Sequence, residues 1–502
     1  MLIYVIMKKN KTLKKPLLAY LLFFLFMTTA LLAQVGIGTV TPDTSSILDI
    51  VSNDKGMLTP RMTTAQKLAI TNPANGLIVY DTDLKSFYFY DTTATSWIRI
   101  NINSDGRLKY KLIRSSDVLA TVLADELAAG GGSKYLLDSG TLYEINGTIV
   151  LNYPIELNNA YVSGQDSGED KLVRTSGDLF TGTTGGSIRI LTLSALSGNV
   201  FNIDGGGTAS LIFRDCIVAS SASVGSFRNF ALVFLSIVQY YANANGVVYE
   251  NIARLLLSNT GWFSNNTGVY EKLIGTFTLA AKQGGFSEVT GANIGFDVSS
   301  NPVITGDATL ESTVFTGTLT TGKYVNPYTV GGYAGYNFNN NWNVRCPGIP
   351  TETDASAVAD FAIDYPVGSG ASTSFNTSNP SNIVKVQGVS TSTNLFRFST
   401  DGGVNNRLKY AGKKKRIFQV TGSISFQVPA VGTYIIYIAK NGTVISQYKI
   451  YGRGLTTNDI LVLPLNASVE LSINDYVEVY AQRYTGGTTD AIITPNMTLI
   501  IK

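Results

Sequence analysis

Between about residues 188 and 279 the apolar positions fall into columns rather than a helical stripe. Sliding the sequence along itself by 22 residues aligns Leu191, Phe213, Leu235, Leu257 and Leu279, and, two residues earlier, Leu211, Val233, Leu255 and Phe277. Two apolar columns offset by two residues describe a strand that buries one face and leaves the other polar. Strands of this kind cannot bury that face alone, so successive copies must stack. The pattern predicts a parallel β-helix from about Leu142 to Gly317, right-handed as parallel crossovers are, with rungs ~4.8 Å apart. A third column at the same interval, Phe230, Ile252 and Ile274, is expected beside Asn229 and Asn251 stacked as an amide ladder between rungs.

The flanks read differently. "SSDVLATVLADELAAGGG" (Ser115 to Gly132) predicts one short helix, with Ser116 or Asp117 as N-cap and the glycines as terminator. It precedes the repeats, where a helix either caps the open end of the stack or serves as a linker. "NPYTVGGYAGYNFNNNWNVRCPGIPTETD" (Asn326 to Asp354) loses the period and gains Gly, Asn and Pro, as a connector does. From about Asp360, short strands with regular turn signals predict an antiparallel sandwich. Within it, "VGTYIIYIAKNGTVI" (Val431 to Ile445) is a hairpin with a Lys-Asn-Gly turn, and "LSINDYVEVYAQ" (Leu471 to Gln482) is an alternating strand.

Composition narrows the chemistry. The chain has 502 residues, 44% hydrophobic and 15% charged, enough to bury a large core, and 49 glycines, 27 tyrosines and 23 phenylalanines favour β structure with many turns. A net charge of +3 speaks against nucleic acid as a partner. No histidine is present, which excludes Ser-His-Asp and Cys-His catalysis and metal sites built on imidazole. No cofactor or metal site is expected. Cys216 and Cys346 lie far apart in unrelated surroundings, and Cys216 in "LIFRDCIV" reads as a small buried apolar residue. From Met7, "MKKNKTLKKP" supplies five lysines, Leu17 to Leu32 an apolar run and Ala33 a small exit residue. That is the order of an export signal cleaved before Gln34; the competing reading is a retained anchor. Once cleaved, no membrane contact is expected.

The segment Gln34 to Asp91 carries, in order, VGIGT-x-TP, LDI, KG-x-L-x-PRMT-x-AQ and NP-x-x-G-x-x-VYDTD. It resembles the N-terminal module of exported surface and fibre-like proteins of Bacteroidota and of tail-fibre proteins of their phages. The resemblance implies export and display at the start of a larger fibre and brings no catalytic residues. "GDLFTGTTGGSIRILTLSALSGNVFNI" (Gly177 to Ile203) resembles the phage tail-spike type of β-helix. The pieces Val431 to Ile445 and Leu471 to Gln482 resemble the C1q/TNF-like jelly roll, which implies a homotrimer that binds ligands at its outer surface. The expected divisions are 1–33 signal, 34–105 N-terminal module, 106–141 linker and capping helix, 142–320 β-helix, 321–359 connector and 360–502 jelly-roll head.

Candidate chemistry is sparse. Glu250 and Glu271 could form a carboxylate pair on neighbouring rungs, close to the separation used by retaining glycosidases. The 22-residue register instead sets Glu250 opposite Lys272, a solvated pair. "DSGED" (Asp166 to Asp170) is the densest acidic group and sits in a Gly-Ser turn, a solvated loop by default. Lys413, Lys414, Lys415 and Arg416 form a basic run that attracts anionic polysaccharide or phosphate, or else guards an edge strand. Trp262 aligns with Tyr240 and Phe263 with Tyr241; inward they are core, outward a platform for sugar rings. Tyr240 and Trp262, with Lys413 to Arg416, are the candidate ligand-binding residues.

The sequence therefore points to an all-β fibre or attachment protein, secreted or cell-surface, or virion-associated if phage-encoded. Its shaft is a β-helix, its head a trimeric jelly roll, and its partner a cell-surface polysaccharide or protein receptor bound without cleavage. The alternative is a phage or prophage tail-spike-type glycan depolymerase.

Overall fold

The computed structural model describes residues 34–100, 108–375, 382–485 and 490–502. The expected signal and its cleavage point at Ala33 lie outside the described residues. Among the described residues no helix is long and apolar enough to cross a membrane. The chain forms two compact units, divided at Gly106 and Arg107.

The first unit is small. Val35–Ile37 pairs in parallel with Leu48–Ile50, and a separate four-stranded sheet is built from Arg61–Met62, Ile78–Asp81, Ser86–Asp91 and Ser96–Arg99. The helix Thr64–Leu68 starts at a capping box, in which Thr63 and Gln66 satisfy each other's free amides. Lys67 is drawn under this helix to Asp81 at 2.7 Å and lies 3.5 Å from the Tyr88 ring centre. Little else in this unit is buried. Val79 is the one buried apolar residue described between 34 and 100, whereas Val40, Ile47 and Leu58 are 98%, 78% and 76% exposed.

The second unit is a parallel β-solenoid followed by an antiparallel sandwich. Nine strands from Tyr135–Leu136 to Lys323–Asn326 stack on one face, and a 15-stranded sheet from Tyr110–Arg114 to Trp342–Arg345 wraps the others. Every pairing in the two sheets is parallel, and the aliphatic and aromatic residues that point inward form one continuous core. Strict 22-residue spacing holds across Ser210–Ala219, Leu232–Tyr241 and Arg254–Trp262, where Phe213, Leu235 and Leu257 are opposite one another. On either side the step lengthens. Ile188, not Leu191, faces Phe213, and Leu257 faces Lys282 while Leu279 faces Arg254. Phe277 likewise leaves the second column, because Ala280 stands opposite Leu255.

The corners explain how unequal rungs stay in register. Ile190, Asp215, Ile237, Asn259, Gly284 and Ser312 occupy equivalent corner positions, and all have positive φ, between 52° and 68°. Each turns the strand through the same bend, so extra residues are taken up elsewhere in the rung. Asn229 and Asn251 also have positive φ, and Ile274 faces Glu250 rather than continuing the column of Phe230 and Ile252. The Asn229 and Asn251 side chains are not the buried amide ladder. That ladder is Asn243 and Asn266 at another corner, where Asn266 Oδ1 accepts from the Asn243 amide and side chain at 3.0 Å, and Asn266 Nδ2 donates to the Tyr240 carbonyl at 2.7 Å.

The expected single helix is two short ones, Leu119–Val122 and Ala124–Ala129, broken at Leu123. Val118 rather than Ser116 or Asp117 is the N-cap, because Asp117 accepts instead from the Arg114 amide at 2.8 Å. Leu123 is buried with Ile113 and Tyr143, and Leu119, Val122 and Leu127 pack on the same end of the solenoid core.

Beyond the solenoid, two seven-stranded sheets enclose a second core that includes Phe361, Phe418, Ile424, Tyr434, Val479 and Leu499. The hairpin Gly432–Lys440 to Thr443–Val444 turns through Asn441 and Gly442, both at positive φ, as an Asn-Gly turn requires. Of the expected strand Leu471 to Gln482, Leu471 ends the strand Ile460–Leu471, and Tyr476–Thr485 forms the next one, paired along Gly432–Lys440, with Val477, Glu478 and Val479 buried in succession.

Candidate functional site

Outward residues on successive rungs form the first candidate surface. Tyr161, Ser187, Ile212, Phe234 and Leu256 stand opposite one another along the stack, and two positions further along each strand the column reads Glu144, Ser163, Arg189, Arg214 and Ser236. Of these, Tyr161, Ser187, Ile212, Phe234, Arg189 and Arg214 line a groove of about 660 Å³ with Lys109, Gly140 and Leu142; Tyr161, Ile212 and Phe234 are its large apolar side chains and Lys109, Arg189 and Arg214 its cations. Arg189 Nε donates to Ser163 Oγ at 3.2 Å, which fixes the guanidinium across the rung. Arg214 leans on Asp215 at 3.7 Å and Lys109 on Asp138 at 3.6 Å; all four side chains are well exposed. Apolar side chains and cations in one groove suit a chain of sugar rings with acidic substituents.

The structure divides the aromatic pairs. Tyr240 and Trp262 are fully buried and stacked at 3.8 Å between ring centres, with Tyr270 continuing the stack at 5.1 Å. Burial, then the charge of Glu271, pushes the Tyr240 hydroxyl well up. A sugar cannot reach these rings, so the platform expected of Tyr240 and Trp262 is corrected to a core stack. The outward pair is Tyr241 and Phe263, 6.0 Å apart, extended by Phe286 at 5.1 Å.

Glu250 and Glu271 are separated by the register. Glu271 points inward, fully buried, and is paired with Lys282 at 3.0 Å; Lys282 also donates to Thr260 Oγ1 at 2.6 Å. Glu250 faces Arg228 and Ile274 instead of Lys272, and Lys272 reaches Asp297 at 3.7 Å. A carboxylate held inside the core and one on the outside cannot flank a common bond. In the "DSGED" turn, Asp170 accepts from the amides of Gly147, Gln165 and Asp166, all within 3.0 Å. Its lowered pKa follows from these amides against the opposing effect of burial. The carboxylate therefore closes a turn. No group of acidic or cysteine side chains among the described residues is arranged to hold a metal ion. Cys216 and Cys346 are free and buried, and burial pushes the Cys216 thiol up to about 12.

The basic run lies where the sandwich meets the last solenoid strand. Lys413 is committed to the shaft, reaching Asp307 at 3.6 Å and the Gly306 carbonyl at 3.3 Å. Lys414, Lys415 and Arg416 line a second cavity of about 480 Å³ with Arg345 and Glu311. Its hinge is Asp354, whose carboxylate receives buried Arg397 and the Lys414 amide, and whose carbonyl receives Arg416. Arg397 also donates to the carbonyls of Trp342 and Glu352, tying shaft to sandwich. Arg345 escaped the sequence reading because it sits in a stretch without periodicity, and only its pairing with Glu311 across two rungs places it here.

Residues 36–111 match the family described as the phage tail like trimerisation region. No curated protein matches the chain. Among solved structures, the enzymatically active domain of tailspike protein 4 of bacteriophage CBA120 is 9% identical and aligns over 88% of this chain and 77% of its own, with a TM-score of 0.30.

Proposed function

We propose that this chain is a trimeric tail-fibre or surface-attachment protein that binds a cell-surface glycan or protein without cleaving it, on a virion or outside the cell. The observation that carries the reading is the groove on the solenoid, where Tyr161, Ile212 and Phe234 offer apolar surface and Lys109, Arg189 and Arg214 offer charge. The trimerisation region matched at residues 36–111 supports a homotrimer, as do the many uncovered apolar side chains of the first unit. The separation of Glu250 from Glu271 favours binding over hydrolysis by that pair.

The test is attachment of the labelled full chain to candidate host cells, with reducing ends assayed in the same incubation. Saturable attachment without product is expected, with Arg189→Gln/Arg214→Gln lowering affinity at least ten-fold, since each cation contributes on the order of 1 kcal/mol or more to an oxyanion contact. Released oligosaccharide would reverse the reading in favour of a depolymerase.

A further inference from the structure

We propose that the cavity between the last solenoid strand and the sandwich is an oxyanion site, which takes a carboxylate or phosphate group of an acidic sugar unit. It is separate from the groove of the attachment reading and stands without it. The cavity, about 480 Å³, falls within the roughly 300–1,000 Å³ of small-ligand clefts.

Four cations converge on it from two sides. Arg345 comes from the strand Trp342–Arg345, the final rung of the shaft, and Lys414, Lys415 and Arg416 from the loop that enters the strand Arg416–Gln427. Two of the four are committed: Lys415 reaches Glu470 at 3.1 Å, and Arg416 donates to the Asp354 carbonyl. The other two are not. Among the described residues no ion pair engages Arg345 or Lys414, although Glu311 stands opposite Arg345 in the ladder. Asp354 and Glu311 line the cavity too; the Asp354 carboxylate already holds Arg397, so against four cations Glu311 is the one lining carboxylate left without an ion pair among the described residues.

The site is also held in shape. Asp354 joins Arg397, Arg416 and the Lys414 amide, so the loop carrying Lys414 is fixed relative to the shaft strand carrying Arg345. A planar guanidinium and an ammonium lining one cavity suit an oxyanion: Arg345 would take two oxygens in its fork and Lys414 would add a point charge. Little ordering is then left to oppose binding.

Titration calorimetry of the full chain with inorganic phosphate, polygalacturonate and neutral dextran tests the site. Polygalacturonate is expected to bind, more weakly as sodium chloride rises, and Arg345→Gln/Lys414→Gln to weaken it at least ten-fold. Dextran is expected not to bind, and Lys449→Gln, an exposed charge elsewhere on the sandwich, to behave as the parent. Phosphate binding lost in the same double variant also supports the site and assigns it to a free anion. The proposal is overturned if neither anion binds, if dextran binds equally, or if the double variant binds as the parent does. Unchanged melting of the double variant shows that it folds. Cell attachment is measured separately, so either reading can fail alone.

Discussion

Lys67 and Asp81 are the clearest case of charge buried for structure. Burial on its own pushes the Asp81 carboxyl up, but the Lys67 ammonium, the Leu84 amide and the Thr64 hydroxyl outweigh it and hold it at about 2 rather than 3.8. A carboxyl with a depressed pKa in the folded state stabilises the fold above its unfolded value and loses that contribution as pH falls through the folded one. The protection of Ile78–Asp81 amides, taken relative to their intrinsic exchange at each pH, is therefore expected to fall between about pH 4 and pH 2, where both pKa values lie. In Asp81→Asn the strand should exchange faster at neutral pH and lose that step; an acid step persisting unchanged in the variant would refute the assignment. Glu271 and Lys282 repeat the theme inside the solenoid, at 1% and 2% exposure. Lys282→Met leaves Glu271 charged in the core and should cost about 3–5 kcal/mol in chemical denaturation, with Glu271→Gln/Lys282→Met recovering part of the loss. Equal stability of the single variant and the parent would show the pair to be solvated.

The corner column explains both what the sequence revealed and what it hid. Leu211, Val233 and Leu255 and their neighbours disclose a β-helix because two consecutive steps of 22 residues keep three strands in register. Where rungs lengthen, the period slips, so a fixed 22-residue interval lands on Leu191 and Leu279 where Ile188 and Lys282 stand, and it does not reveal Lys282 as an inward residue. The facing of Tyr240 and Tyr241 depended on the same bend. Alternation says they differ, but positive φ at Ile237 decides that Tyr240 turns inward, and no hydrophobic pattern announces that conformation in an isoleucine. Gly, Asn and Pro around Trp342 give its stretch the composition of a connector, yet Trp342 lies in the last rung. A β-branched residue at φ 54° is strained, and Ile237 is 52% exposed, so its side chain is little needed. Ile237→Asn is expected to stabilise the chain by about 1 kcal/mol. Gly284→Ala, at the equivalent corner, should destabilise it, since φ is 68° and the new Cβ would lie 2.2 Å from Asn259 Oδ1. Urea midpoints moving in the same direction for both would refute the shared corner.

For the assembled molecule, the weight rests on the first unit. A folded segment with one buried apolar residue and Val40, Ile47 and Leu58 uncovered has no core of its own to account for its order. Uncovered apolar surface of that density marks an interface, and three copies of one chain can cover one another's side chains around a common axis. Trimerisation would also serve attachment, because three weak sites on linked chains raise avidity by roughly 10²–10⁴-fold when the ligand array is dense. If the first unit supplies the interface, Ile47→Asp/Leu58→Asp should lower the mass measured by light scattering at micromolar concentration, through carboxylates placed against apolar partners. The doubly substituted chain should keep its melting transition for the solenoid and sandwich, whose cores it does not touch. A parent that is monomeric would remove the trimer altogether. A variant that stays trimeric at every concentration would move the interface out of the first unit, to the exposed apolar edge of the sandwich at Ile460 and Val462.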